Sequence, residues 1–388
     1  MYKRQLVDFV IRGHNEASFL ALADRLAAGE APGRLPGLVV PGDDDAALLR
    51  STPAFVPDVN ALPDFPYHRV EVARYLRKTF MGARTISHHA SYGCPFRCNF
   101  CAVVNMVDGR YSAQTAERMA SVAERLVREH GADAIEFHDN NFFVGESRIA
   151  EFAERIRPLG IGWWGYGRID TFDKFRDSTF AALRDSGLRM VFMGAETGSD
   201  EMLKRMNKGG RQSTDQTLRI AARMRRFGIV PEMSFVLGNP PDPDADVATS
   251  LGFIRRLKAV NPDTEVILYL YTPVPLAGSL FEEAKASGFS FPQTLDEWAD
   301  AGWVDFAQHR NADLPWLTPG VKQRVADFQR VLHATFPTIT DPRLRGLRRL
   351  ALRAAGGWRY KLGFYANPVE LRLLHRLLPY QRPELSGF

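Results

Sequence analysis

All three cysteines of this 388-residue chain, Cys94, Cys98 and Cys101, fall within eight positions of the stretch ASYGCPFRCNFCAV. Thiolates are soft ligands, and a C-x-x-x-C-x-x-C triplet on one short loop is a metal-binding pattern. Two chemistries compete for it. A structural zinc knot is closed by four protein ligands, so this loop would draw its fourth from His88, His89 or His138, each equally a strand-end histidine with ordinary hydrogen bonds. A [4Fe-4S] cluster normally takes four cysteines. Three leave one iron without a protein ligand, and an open coordination position is what separates catalytic from structural metal sites.

A second chemical signal is Glu196, in GAETGS. A carboxylate that ends an apolar strand is hard to explain as core, and it can accept hydrogen bonds from two ribose hydroxyls, as in dinucleotide sites. Gly194 and Gly198 flank it and allow close backbone approach. Asp139 in HDNNFF also ends an apolar run, where an Asx turn is the competing explanation. Arg168 in GYGRID either holds a carboxylate of a ligand or pairs with Asp170 or Asp173. Trp163, Trp164, Tyr166 and Tyr271 are candidates to line a cavity, although aromatics at this density are more often core.

These residues need a scaffold that brings them to one rim. From about residue 80, short apolar β-branched runs alternate with helical periodicity. Strands are expected at 85–91, 134–139, 162–167, 189–196, 230–238 and 264–275, and helices at 115–131, near 146–158, at 177–187, 214–227 and near 246–259, two of them stopped by Gly131 and Gly228. Six strand-helix units imply a parallel sheet with right-handed crossovers. A closed eight-unit barrel needs two more, so the expected fold is α/β, a partial (β/α)6 TIM-like barrel. In such folds chemistry sits at the carboxyl ends of the strands, where the cysteine loop, Asp139, Arg168, Glu196 and Gly238 all fall.

Residues 1–80 read as an N-terminal remnant of another domain plus a linker, residues 81–300 as the barrel, and residues 301–388 as a basic helical C-terminal extension with amphipathic segments at 321–336 and 368–378. MYKRQ resembles translation of a transposon end used in library preparation, so the natural start is expected to lie elsewhere.

Net charge is +5, with a sequence pI of about 9.1. Residues 341–388 hold ten Lys/Arg against three acids, a net +7, which leaves −2 for the first 340 residues. The body therefore lacks the electrostatic footprint of a nucleic-acid binder. The basic tail, GWRYKLGFYANPVELRLLHRLL in particular, suits either an anionic membrane surface or a helical cap with a solvated basic face. No apolar run approaches a membrane span, no signal peptide opens the chain, and three cysteines do not build a disulfide framework, so a cytoplasmic setting is expected.

CPFRCNFC, with aromatic Phe100 before the last cysteine, resembles the signature of the radical S-adenosylmethionine (SAM) superfamily, over about residues 80–300. The resemblance implies a [4Fe-4S] cluster on Cys94, Cys98 and Cys101 whose free iron is chelated by SAM. It further implies reductive cleavage to methionine and a 5′-deoxyadenosyl radical, and an electron donor such as flavodoxin or ferredoxin. Carried over residue by residue, Phe100, Asp139, Glu196 and Gly238 would position the nucleoside or methionine, and Arg168 matches a recurrent strand-three arginine of the cobalamin-associated branch. Asn140 and Asn141 stand where relatives often have a second acid. LVDFVIRGHNEASFLALADRLAAG resembles the last strand, loop and helix of a cobalamin-binding domain, with His14 and Asn15 departing from its usual loop. Methylthiotransferases, enzymes with auxiliary clusters and methylcysteine-using methylases need further cysteines, which this chain lacks. The expectation is cobalamin-associated methyl transfer or cyclase chemistry on a small, hydrophobic substrate, with cobalamin-free radical chemistry or a zinc-knot binding protein as alternatives.

Overall fold

A computed structural model of the protein describes residues 8–40, 55, 58–208, 212–274, 278–307, 314–341 and 343–377. MYKRQ at the start and residues 378–388 of the basic tail lie outside the described residues.

The strands, in chain order, are β1 (Val10–Ile11), β2 (Leu38–Val39), β3 (Thr85–His88), β4 (Ser91–Gly93), β5 (Tyr111–Ala113), β6 (Ala134–Phe137), β7 (Gly162–Gly167), β8 (Leu188–Glu196), β9 (Val230–Leu237) and β10 (Glu265–Leu270). Six of them form one sheet in the order β10-β9-β8-β7-β6-β3, and every neighbouring pair is parallel. Spatial order follows chain order, and β3 and β10 remain edges. This is the partial, open (β/α)6 barrel the alternation implies.

Local chemistry explains the helices that cross between strands. Thr115 accepts the Arg118 amide to start Ala116–His130, and Gly131 ends it at φ 66°. Ser213 and Gln216 form a capping box on Thr214–Phe227, which Gly228 ends in the left-handed region. Both terminators occupy the conformation glycine adopts without a Cβ penalty. β7 has a poor strand sequence because aromatic rings crowd its glycines: a Cβ on Gly167 would lie 2.7 Å from Phe172 Cε2.

Several boundaries differ from expectation. The first strand stops at His88, and Ser91–Gly93 turns away to pair antiparallel with Tyr111–Ala113. The last sheet strand ends at Leu270, before the Pro-containing segment, since proline cannot donate to a ladder. The fifth crossover helix begins at Pro243, three residues early, because Asp242 caps it. The basic tail is two helices, Gly346–Leu362 and Val369–Leu377, separated by Gly363 at φ 70° and Asn367 at φ 46°.

The segment read as linker packs on the barrel. Tyr67 and Val72 belong to its core, and Arg118 donates to the carbonyls of Val59, Asn60, Leu62 and Pro63 at 2.6–3.3 Å. The N-terminal unit contributes helix Glu16–Ala27, but β1 and β2 pair antiparallel. It abuts the cysteine hairpin, where the His14 and Tyr92 rings meet at 4.8 Å.

Candidate functional site

The cysteine loop leaves β4 at the carboxyl end of the sheet and is held at both shoulders. Gly93 sits at φ 79°, where an added Cβ would lie 2.2 Å from the Arg110 carbonyl oxygen; the Cys94 amide donates to that same oxygen at 3.1 Å. On the other side Asn99 donates from its backbone to Met206 O at 2.9 Å and from its side chain to Arg205 O at 2.7 Å. The Asn207 amide returns a bond to Arg97 O at 2.7 Å. A loop without regular structure is thereby fixed on the segment that follows β8.

Cys98 is buried, and Cys94 and Cys101 are half-buried. Burial pushes the Cys94 thiol up and the Cys101 thiol up to about 11; Cys98 adds to the rise at Cys94, and Cys98 and Cys94 both add to it at Cys101. Raised in this way, the bare Cys94 and Cys101 thiols stay protonated near neutral pH, and a cationic metal is what would convert them to thiolates. Each has a polar or cationic neighbour. Asn141 Nδ2 lies 3.9 Å from Cys94 Sγ, Arg168 Nη1 lies 3.4 Å from Cys98 Sγ, and Lys208 acts on Cys101. Donors and cations around sulfur are the outer-shell groups that support and tune an anionic iron–sulfur cluster, so the residues fit such a group.

They fit a closed zinc knot poorly. Among the described residues, no three His, Cys, Asp or Glu side chains are grouped to hold a single ion. Of the candidate fourth ligands, His88 Nδ1 bonds Tyr67 Oη at 2.9 Å, His138 Nε2 lies 3.4 Å from Glu136, and His89 stacks on Tyr92.

The structure gathers the sequence candidates into three groups. Arg168 lies between Asp170, at 2.9 and 3.1 Å, and Cys98, with the Phe96 ring 3.8 Å beneath its guanidinium. Burial works against its charge, but the Asp170 pairing and Cys98 raise its pKa above the usual value. Phe100 and Glu196 meet through Lys208, whose Nζ lies 5.5 Å over the Phe100 ring and pairs with Glu196 Oε1. Glu196 is buried and has φ 68°, a left-handed backbone that is uncommon for a non-glycine residue and costs on the order of 1–3 kcal/mol. Gly194 leaves room for the pair, since a Cβ there would displace Glu196 Oε1 and Lys208 Nζ.

Asp139 and Gly238 make internal contacts. The Asp139 carboxylate accepts the Ala90 amide at 3.1 and 3.2 Å and the Ser91 hydroxyl, tying the ends of β3 and β6 together. Burial raises its pKa. The neighbour that reaches toward Cys94 is Asn141, whose Oδ1 is buried without a hydrogen-bond partner. Gly238, at φ 76°, donates to Asp246 at 2.8 Å, and its carbonyl accepts Trp316 Nε1 at 2.9 Å. Leu317 fills the space where a Cβ would point.

Lys208, Asn141, Phe96 and Asp246 are the members of this rim that sequence reasoning missed or set aside. Lys208 carries no local pattern. Asp246 had a faint one, a carboxylate at the start of a helix just after a glycine turn.

The aromatics divide. Trp163 is packed among Phe137, Phe142, Phe143 and Phe152 and is core, as is Tyr271, whose hydroxyl is buried without a partner. Trp164 and Tyr166 face the opposite side with Glu136, His138 and Glu232.

The Radical SAM superfamily profile matches residues 90–254, a span that runs from the end of β3 to the fifth crossover helix. The chain is 26% identical to an uncharacterized methyltransferase of Pyrococcus horikoshii over 255 residues, 65% of this chain and 53% of that protein. It is 23% identical to the bacteriochlorophyllide d C-8(2)-methyltransferase of Chlorobaculum tepidum, over 73% of this chain and 62% of that one. The chain thus spans between half and two thirds of these relatives. Among solved structures it is similar in fold to the radical SAM methyltransferase TsrM of Kitasatospora setae, with TM-score 0.58, 15% identity, and 96% and 76% of the two chains covered; that protein has also been solved with cobalamin and a [4Fe-4S] cluster bound.

Proposed function

From the premise that residues 90–254 are a radical SAM domain, we propose that this chain is a radical SAM enzyme working in cobalamin-associated methyl transfer. The observation that carries the reading is the cysteine triplet itself. It is pinned at the carboxyl end of a six-stranded parallel sheet and surrounded by Asn141, Arg168 and Lys208. Cys94, Cys98 and Cys101 would hold a [4Fe-4S] cluster, with SAM on the iron that lacks a protein ligand. When bound, that cluster supplies one electron to the SAM sulfonium, giving methionine and a 5′-deoxyadenosyl radical.

The chain's own residues bind and orient. Arg168, held by Asp170 and stacked on Phe96, places a fixed positive charge at Cys98. Lys208 neutralises Glu196 until a ligand arrives, and Glu196 then accepts hydroxyl donors of the nucleoside. Phe100 offers a face between Lys208 and the loop. Asp139 acts through Ser91 and Ala90, holding the strand end from which the cysteine loop departs. Gly238 presents a turn stiffened by Asp246 and Trp316. The cobalamin association rests on the methyltransferase-named relatives and on the TsrM-like fold. A small hydrophobic substrate, a flavodoxin- or ferredoxin-type electron donor and a cytoplasmic setting complete the reading. No described helix is long and apolar enough to cross a membrane.

The test is anaerobic reconstitution with iron and sulfide. Four irons per chain and a reducible cluster are expected. Dithionite plus SAM should then yield 5′-deoxyadenosine, and added cobalamin should bind and support methyl transfer. Cys98→Ala should lose the cluster signal and 5′-deoxyadenosine formation together. Tight binding of one zinc, or a well-formed cluster that never cleaves SAM, would defeat the radical reading. A productive cluster indifferent to cobalamin would leave radical chemistry standing and remove the cobalamin part.

A further inference from the structure

Helix Gly346–Leu362 is apolar on two opposite faces, and among the described residues only one of them is packed. Leu352, Gly356 and Arg359 form the buried side. Gly356 lies so close to its neighbour that a Cβ would sit 2.7 Å from Ala334 Cβ and 2.9 Å from the Thr335 nitrogen, while Arg359 pairs with Glu370.

At about 100° per residue, Leu347, Leu350, Trp358 and Leu362 fall on the other side, with Ala351 and Ala354 between them. Their exposures are 83%, 64%, 46% and 73%. Phe364, 50% exposed just past the helix end, lies 6.2 Å from Trp358 and extends the stripe. A single exposed leucine needs no explanation, but a contiguous stripe of this kind marks an interaction surface.

Charge says what covers it. Arg348 borders the stripe on one side and Arg353 on the other, and Lys361 lies within it; all three are exposed and none forms an ion pair among the described residues. A second copy docked face to face by a two-fold axis would oppose these cations to one another. An apolar stripe rimmed by cations, with a tryptophan at its centre, is complementary to a bilayer with acidic headgroups, where the side chains enter the headgroup–acyl boundary and the cations meet lipid phosphates.

We propose that the exposed face of helix Gly346–Leu362 docks this protein peripherally on an anionic membrane surface. This inference stands apart from the radical SAM reading: it concerns a different face and holds for the metal-free protein as well.

The test is co-sedimentation of the full chain with phosphatidylcholine vesicles and with vesicles containing about 30% phosphatidylserine, an anionic surface of the kind such helices read. The bound fraction is expected to be roughly tenfold higher on the anionic vesicles and to fall with salt, as the electrostatic component is screened. Leu347→Glu with Leu362→Glu should abolish binding while thermal midpoint and 5′-deoxyadenosine formation stay unchanged, because both side chains are exposed. Arg348→Gln with Arg353→Gln should keep the fold and lose the preference for anionic lipid. Equal binding to both vesicle types, no binding, or binding indifferent to the leucine pair would overturn the proposal. So would a dimer that the leucine pair dissociates in a chain that ignores vesicles, since the face would then belong to a second copy.

Discussion

Two adjacent tryptophans on β7 show how differently the two faces of the sheet are built. Trp163 is fully buried on the helix-covered face, among four phenylalanines, with its indole N–H on Ser186 Oγ at 3.1 Å. Trp164, one residue on and therefore on the opposite face, gives its N–H to the Glu232 carboxylate at 3.2 Å. The helix-covered face around Trp163 is a hydrocarbon interior in which the one indole N–H is satisfied locally by Ser186. The inner face gathers Glu136, His138, Tyr166, Glu232 and Glu265, and there burial, reinforced by Glu265 and Glu136, pushes the Glu232 carboxyl up to about 8. One face makes the fold, and the other holds polar groups that folding does not require. Such groups are commonly retained for binding.

Substitutions can break or sharpen that contrast. Trp163→Ala should have the largest effect on stability, a loss of about 3–5 kcal/mol from cavity formation in a tightly packed layer, read as a large fall in the denaturant midpoint. A loss no larger than that of an exposed residue would mean that the two faces are not distinct.

Glu232→Gln probes the inner face through pH. The folded protein holds on Glu232 a proton that the unfolded chain releases above pH 4.5. Between pH 4.5 and about 8, therefore, the folded state binds more protons, and wild-type stability falls as pH rises through this window and levels off above it. The glutamine variant lacks this slope and should gain on wild type up to about pH 8, with each kcal/mol worth roughly 1–2 °C for a chain of this size. Thermal midpoints from pH 5 to 9 measure it, and parallel profiles would show that Glu232 is not held neutral.

Trp164→Phe should have the smallest effect. It keeps an aromatic ring but trims the pyrrole half of the indole and removes one hydrogen bond, at a cost of about 1–2 kcal/mol. Because that bond favours the ionised carboxylate, its loss should also move the end of the Glu232 slope to higher pH.

The regular parts of the fold were legible because their causes are local. Gly131, Gly228, Thr115 and Ser213 terminate or cap helices through their own backbone and side-chain chemistry, and β7 and helix Thr214–Phe227 lie where periodicity placed them. The Ser91–Gly93 hairpin was not legible, because its partner, Tyr111–Ala113, is a three-residue strand with little pattern of its own. In the site, the cysteine triplet announced itself by spacing, and Glu196 by ending an apolar strand. Lys208 did not, because a lysine in a loop gains meaning only when folding brings it onto Glu196 and Phe100.

The cysteine spacing, the number of strand-helix units and the rim on which they meet were legible in the sequence by itself, since spacing and hydrophobic period are properties of neighbouring residues. Only the tertiary structure decided which groups surround the thiols, which tryptophan faces the interior, and that helix Gly346–Leu362 leaves one apolar face uncovered. Those outcomes depend on contacts between residues as far apart in the chain as Cys98 and Arg168, 70 positions, or Trp164 and Glu232, 68 positions. No local pattern encodes such pairings, because they are selected by how the whole sheet curves and what packs against it.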